Sequence, residues 1–118
     1  MATEIGTIGL AEVNLTIPQG TSLEFTINHE DEDGNPVDHS AADIRMAFQS
    51  KDKTMRMDLS QYCSGTETGV SVFIPASFTA DIPIGKLLWD MISETENGTF
   101  RLAYGTVRVV DTYALDGE

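Results

Sequence analysis

Hydrophobic residues recur at every second position along most of this chain. Val13, Leu15 and Ile17 alternate with Asn14 and Thr16; Leu23, Phe25 and Ile27 alternate with Glu24 and Thr26. Ile44, Met46 and Phe48 follow, then Met55, Met57 and Leu59, then Val70, Val72 and Ile74 with Phe73 on the opposite face. Leu87, Trp89 and Met91 continue the period with Asp90 opposite, and Phe100, Leu102 and Tyr104 lead into Val107 and Val109. A period of two is the signature of strands with one face in a core and one in water. The pattern predicts a core built on Leu23, Phe25, Ile27, Ile44, Met46, Phe48, Val72, Ile74, Trp89, Leu102, Val107 and Val109.

Turn residues separate these runs: Pro18-Gln-Gly20, Asp33-Gly34-Asn35-Pro36, Ser64-Gly65, Pro83-Ile-Gly85 and Asn97-Gly98. Each supplies a residue tolerant of positive φ or one fixed near −65°. Asn97-Gly98 between two strand-like runs predicts a type I′ hairpin pairing residues 86–95 with 99–110 in antiparallel fashion. One helical turn is predicted over Ser77–Ile82, with Ser77 as its cap and Pro83 as its stop. Seven or eight short strands with turns every 8–12 residues predict an all-β antiparallel sandwich over 13–110. Residues 1–12 are expected to be an N-terminal arm and 111–118 a C-terminal tail. Within the arm, Ile5, Ile8 and Leu10 are apolar but ill-placed for a central strand, which makes them the candidate partner-binding residues.

A length of 118 residues allows one domain with a substantial core. Seven Lys and Arg against 19 Asp and Glu give a net charge of −12. That balance argues against nucleic acid, whose phosphates need clustered cations, and against anionic membrane surfaces, so neither is an expected partner. No apolar run approaches membrane-spanning length, and the first residues carry no basic or apolar leader, so synthesis in a cytoplasm is expected. The single cysteine, Cys63, has no cationic neighbour in sequence and is expected to be an inert thiol. The sequons at Asn14 and Asn97 carry no weight without a secretory leader.

Chemistry is sparse. No G-x-S-x-G, H-E-x-x-H or paired-cysteine motif occurs. His29 and His39 flank an acidic loop and are expected to be solvated; His29, Asp38 and Ser40 are the one conceivable hydrolytic grouping. The loop from Glu30 to Asp38 holds five carboxylates in nine residues, which makes Asp31, Asp33 and Asp38 weak candidates for a divalent cation. The spacing is not that of an EF-hand, since glycine stands fourth from Asp31 and the closing Glu is missing; a solvated hairpin turn is the expectation, with no metal and no cofactor. Trp89 is in phase with Leu87 and Met91, so core is expected rather than a sugar platform. Lys51, Lys53 and Arg56 cluster after Arg45, in a loop between two strands.

The order of elements resembles a family of small bacteriophage virion proteins. The segment Ile17-Pro-Gln-Gly-Thr-Ser-Leu-Glu-Phe25 is similar to that family's opening strand, and Asp33-Gly-Asn-Pro-Val-Asp38 to its turn before a strand like Ile44-Arg-Met46. Val72-Phe-Ile-Pro75, the Ser77–Ile82 turn with Pro83 and Gly85, Leu88-Trp-Asp90, the Asn97-Gly98 hairpin and Gly105-Thr-Val-Arg-Val109 complete the likeness. It covers about residues 13–110. The family resembles the immunoglobulin-like N-terminal domain of phage upper-baseplate proteins. It implies an immunoglobulin-like sandwich and a non-enzymatic adaptor or accessory subunit of the tail, baseplate or neck, made in the host cytoplasm and housed in the virion. Such a subunit would dock on other virion proteins in multiple copies by edge-strand or arm contacts. Capsid decoration is the alternative within the same class. A carbohydrate-binding module with weak calcium dependence is the alternative outside it. His39 departs from the family pattern, which puts an apolar residue there.

Overall fold

The computed structural model describes residues 3–8 as backbone and 11–112 in full. Over these residues the chain is an all-β sandwich of two sheets. The strands are β1 (Thr3–Ile8), β2 (Ala11–Glu12), β3 (Leu15–Pro18), β4 (Leu23–Glu30), β5 (Asp43–Gln49), β6 (Arg56–Asp58), β7 (Cys63–Gly65), β8 (Gly69–Ile74), β9 (Gly85–Thr95) and β10 (Gly98–Val110). One sheet has the order β1-β4-β8-β7; the other runs β2-β10-β9-β5-β6, with β3 also on β10. The core of this arrangement, β4-β8-β7 against β10-β9-β5-β6, follows the B-E-D and G-F-C-C′ order of immunoglobulin-type sandwiches.

Period-two patterning explains the core. Phe25, Ile27, Ile44, Met46, Phe48, Val72, Ile74, Trp89, Leu102, Val107 and Val109 are all buried between the sheets, while Leu23, expected with them, is half-buried at the strand's start. Leu15, Ile17, Leu59, Val70, Ile82, Leu87 and Met91 complete the cluster. On β10 the burial switches parity, because a bulge between Arg101 and Ala103 lets Leu102 and Ala103 both face inward. That is how Leu102, at an even position, shares a core with Val107 and Val109.

Trp89 joins the two sheets and the N-terminal segment. Its ring meets Phe25 edge-on at 6.0 Å, and its indole N–H donates to the Val13 carbonyl at 2.7 Å. Gly105 pairs with Trp89 in register, and a side chain there would run into that same Val13 carbonyl.

Three local expectations need correction. The β9–β10 hairpin pairs as expected, but Glu96 and Asn97 both keep negative φ while Gly98 has φ 147°; a type I′ turn requires positive φ at both central residues, so this is another turn. The helical turn is α1 (Ala76–Thr79), capped by the backbone at Pro75 with no side-chain cap, and Ser77 lies within it. Its Thr79 is buried, donating to the Thr21 carbonyl at 2.6 Å and accepting from Gly20 N–H at 3.1 Å, which pins the β3–β4 turn. The segment expected as an arm lies along both sheets: β1 runs parallel to β4, and β2 pairs with β10.

Candidate functional site

At one end of the sandwich three polar side chains form a line inside the protein. His29 Nδ1 lies 2.8 Å from His39 Nε2, and His39 Nδ1 lies 2.7 Å from Ser93 Oγ. All three residues are buried, His39 and Ser93 completely. Solvated histidines were the expectation, so this is a correction. The reason lies in strand phase. His29 stands two residues after Ile27 on β4, and Ser93 two after Met91 on β9, so both continue inward-facing rows. His39 occupies the position where the family resemblance called for an apolar residue.

Backbone contacts fix the line. His29 N–H donates to the Thr68 carbonyl at 2.9 Å and His39 N–H to the Thr66 carbonyl at 2.8 Å. Gly65 lets the His39 carbonyl approach β7, where any side chain would collide with it. Phe100 covers the rings, 5.3 Å from His29 and 6.3 Å from His39. Burial lowers the pKa of both histidines, and the charge of His29 lowers His39 further; Asp31 and Asp38, one near each ring, pull weakly the other way. A neutral pair satisfies the line with one proton per ring, and one extra proton on His39 can donate to both neighbours. A second extra proton sets N–H against N–H across the 2.8 Å contact. In this geometry Ser93 is sealed from solvent, so the line can hold tautomers and sense acid.

The conceivable grouping of His29, Asp38 and Ser40 does not assemble. Asp38 Oδ1 accepts from Ser40 N–H at 2.8 Å and Ser40 O–H at 2.6 Å, while His29 bonds His39 instead. Asp31 likewise serves its own turn, accepting from Asp33 N–H and Asn35 N–H at 2.9 Å each. Among the described residues no three Asp, Glu, His or Cys side chains, including Asp31, Asp33 and Asp38, converge as metal ligands. Ile5 and Ile8 fall on β1, whose side chains are outside the described residues, as is Leu10. Of the tyrosines, Tyr62 packs on Phe78 at 5.2 Å and Tyr104 lies under the Arg101 guanidinium at 4.9 Å, while Tyr113 is outside the described residues.

The second feature is a sorting of charge. All seven Lys and Arg sit on one sheet: Arg45 on β5, Lys51 and Lys53 in the β5–β6 turn, Arg56 on β6, Lys86 on β9, and Arg101 and Arg108 on β10. All seven are exposed. The same four strands and turn hold five carboxylates, Asp43, Asp52, Asp58, Asp90 and Glu94. The other fourteen of the 19 carboxylates lie elsewhere in the chain, without a single cation among them. Arg45 pairs with Glu94 at 2.7 Å and Asp43 at 3.3 Å, and Arg101 with Asp90 at 3.4 Å. Lys51, Lys53, Arg56, Lys86 and Arg108 make no ion pair among the described residues. The signal was present in the sequence, since residues 1–44 contain no Lys or Arg; only the pairing of β5, β6, β9 and β10 shows that distant cations share one face.

That face also carries exposed apolar surface. Leu88 is 42% exposed beside a hollow of about 260 Å³ lined by Ala47, Gln49, Arg56, Asp90 and Arg101. The opposite sheet turns Phe73, 51% exposed, outward next to Glu24, its register partner on β4. Compared with known families and curated proteins, the chain matches no family model and no curated protein.

Proposed function

We propose that this chain is a non-enzymatic structural subunit of a bacteriophage virion, an adaptor or accessory part of the tail, baseplate or neck. It works by docking on other virion proteins, in many copies per particle. The resemblance along residues 13–110 supports the viral reading, and the strand order agrees with the sandwich that resemblance implies. The observation that carries a binding role is the pair of unlike outer faces. One bears every cation and exposes Leu88 between Arg56 and Arg101, and the other bears no cation and exposes Phe73 among Glu24, Thr26, Ser64 and Ser71. Large exposed apolar residues rimmed by sorted charge are features of protein-docking surfaces.

Edge contacts are the second docking route. β6 and β7, at two of the sheet edges, are three residues each and offer little backbone to a partner. β1 is six residues long at the outer edge of its sheet, which makes it the better template for strand addition.

Quantitative mass spectrometry of gradient-purified particles from the source phage tests the proposal. The expected result is this chain at several copies per particle, in constant ratio to tail proteins. Its absence from particles would overturn the proposal.

A further inference from the structure

We propose that the end of the sheet where β9 begins docks an extended acidic segment of another virion protein. The segment lies along β9, with a carboxylate over Lys86 and Arg108 and apolar side chains over Ile84 and Leu88. The inference rests on the reading of the chain as a docking subunit, and it names the chemistry of the partner.

The cations of this sheet divide by end. Arg45 and Arg101, which share Ile92 as register partner, stand toward the β9–β10 hairpin and are paired with Asp43, Glu94 and Asp90. Lys51, Lys53, Arg56, Lys86 and Arg108 gather at the opposite end, where β5 finishes and β9 starts. None of these has an ion pair among the described residues. The carboxylates nearby do not answer them. Asp52 accepts from Ser50 and Thr54, Asp58 accepts from Ser60 N–H, and Asp111, just past β10, makes no ion pair either.

Two features of that end point to a bound partner. Lys86 and Arg108 are register partners on β9 and β10, so two cations stand directly opposite each other on one face, which weakens a sheet unless an anion lies between them. Ile84 and Leu88 flank Lys86 at alternate positions and are 49% and 42% exposed, so apolar surface is open where the charge is unpaired. A furrow of about 730 Å³ runs beside them, lined by Asn14, Thr16, Ile84, Lys86, Thr106 and Arg108. Thr106, the register partner of Leu88, joins it to the hollow of about 260 Å³ beside Arg56. A strand presents alternate residues to one side about 6.8 Å apart, the spacing of Ile84, Lys86 and Leu88. An extended segment reading apolar, acidic, apolar at every second residue therefore matches this row in both charge and shape.

A second copy fits less well. In the carboxylate-rich loop Glu30–Asp38, Pro36 apart, Val37 is the one apolar side chain, and it is half-buried. Asp31 and Asp38 are held by their own turns. That loop also lies at the far end of β5, about 20 Å from these cations, so at physiological salt, with a Debye length of about 8 Å, it neither neutralises them nor shields them from a partner.

The test uses the full chain and the peptide Leu-Ser-Glu-Ser-Leu, whose side chains read the same from either direction along the row. Titration followed by amide chemical shifts should move the amides of β9 and β10 around Lys86 and Arg108, with affinity falling as salt rises. The Leu-Ser-Gln-Ser-Leu peptide should leave them in place. Lys86→Glu sets opposite charges across the strands, so it should melt above wild type and yet lose the peptide, a combination that a purely structural role does not give. Arg108→Ser, which removes the like charge without adding another, is the second variant and should weaken binding in the same way. Ile84→Ser should weaken binding and keep its salt dependence, while Arg45→Gln, at the paired end, should bind as wild type does. No shifts in wild type, equal binding of the Gln peptide, or wild-type binding by both Lys86→Glu and Arg108→Ser would overturn the inference. In purified particles, carbodiimide should link Lys51, Lys53 or Lys86 to an Asp or Glu of a different protein. Links instead to Asp31, Glu32 or Asp33 of another copy, or no links, would overturn it. A chain that binds the peptide but is missing from particles would sink the function alone; a particle protein whose lysines find no acidic neighbour would sink this inference alone.

Discussion

His29 Nδ1 and His39 Nε2 face each other at 2.8 Å inside the sandwich, with Ser93 closing the line at 2.7 Å. Both rings have pKa values lowered below 6.5, chiefly by burial. The unfolded chain therefore binds more protons than the folded one once pH falls to about 6.5, and stability declines with acid through that window and on toward the folded values. Above it the contribution is constant. Chemical denaturation between neutral and mildly acidic pH should show this slope, and His39→Gln should flatten it. An unchanged slope in that variant would show that the pair does not set it.

A separate acid limb belongs to Asp38, Asp52 and Asp58. Each is held below the usual carboxylate range, Asp38 by Ser40, Asp52 by Thr54 and Ser50 at about 2, and Asp58 by Ser60. Groups with lowered acid pKa values stabilise above the unfolded value and lose that effect as pH falls through the folded one. This limb should begin below about pH 4, whereas the histidine slope sets in near 6.5. Asp52→Asn should remove part of it and leave the histidine slope intact.

Trp89→Ala should cost about 3–5 kcal/mol, since it empties the contact with Phe25 and releases the Val13 carbonyl. Trp89→Phe keeps most of the ring but strands that carbonyl, and should cost about 1–3 kcal/mol. Urea titration checks both. A loss below about 1 kcal/mol for Trp89→Ala would contradict the core assignment.

Gly65→Ala and Gly105→Ala should each destabilise by more than about 1 kcal/mol, because the new methyl meets the carbonyl of His39 or of Val13. Gly34→Ala is the control for space: nothing lies near its side-chain position, so any cost there comes from its φ of 82° alone. Comparing the melting temperatures of the three variants separates close approach from backbone conformation.

Burial pushes the Cys63 thiol up to about 12, with Asp58 adding to the effect, and its Sγ sits 3.7 Å from Met46 Sδ. Native protein should react with a thiol reagent at mildly alkaline pH far more slowly than unfolded protein. Equal rates would mean that the thiol is open to solvent.

Much of the sandwich was legible because a period of two carries burial directly. Phe25, Ile27, Met46, Phe48, Trp89 and Val107 declare their face by their neighbours. The β9–β10 pairing was equally readable from Asn97-Gly98, although its turn type was not: that depends on φ at Glu96 and Asn97, which Asn-Gly biases but tertiary context decides. At His29 residue type and strand phase disagree: imidazole favours water, while phase places the ring inside, against the buried His39 ring. His29 continues the Leu23, Phe25, Ile27 row, and phase alone pointed inward. Ser93 likewise follows the phase of Leu87, Trp89 and Met91 inward. The contrast between the two faces was only half legible: residues 1–44 lack Lys and Arg, but Arg56 and Arg101 become neighbours across one hollow only through the order β10-β9-β5-β6.

The most direct test of a virion role is immunogold labelling of purified particles with antibody to this chain. The account predicts label on the tail, baseplate or neck, in several grains per site. Label over the capsid would contradict the adaptor assignment in favour of decoration, and particles without label would contradict the account as a whole.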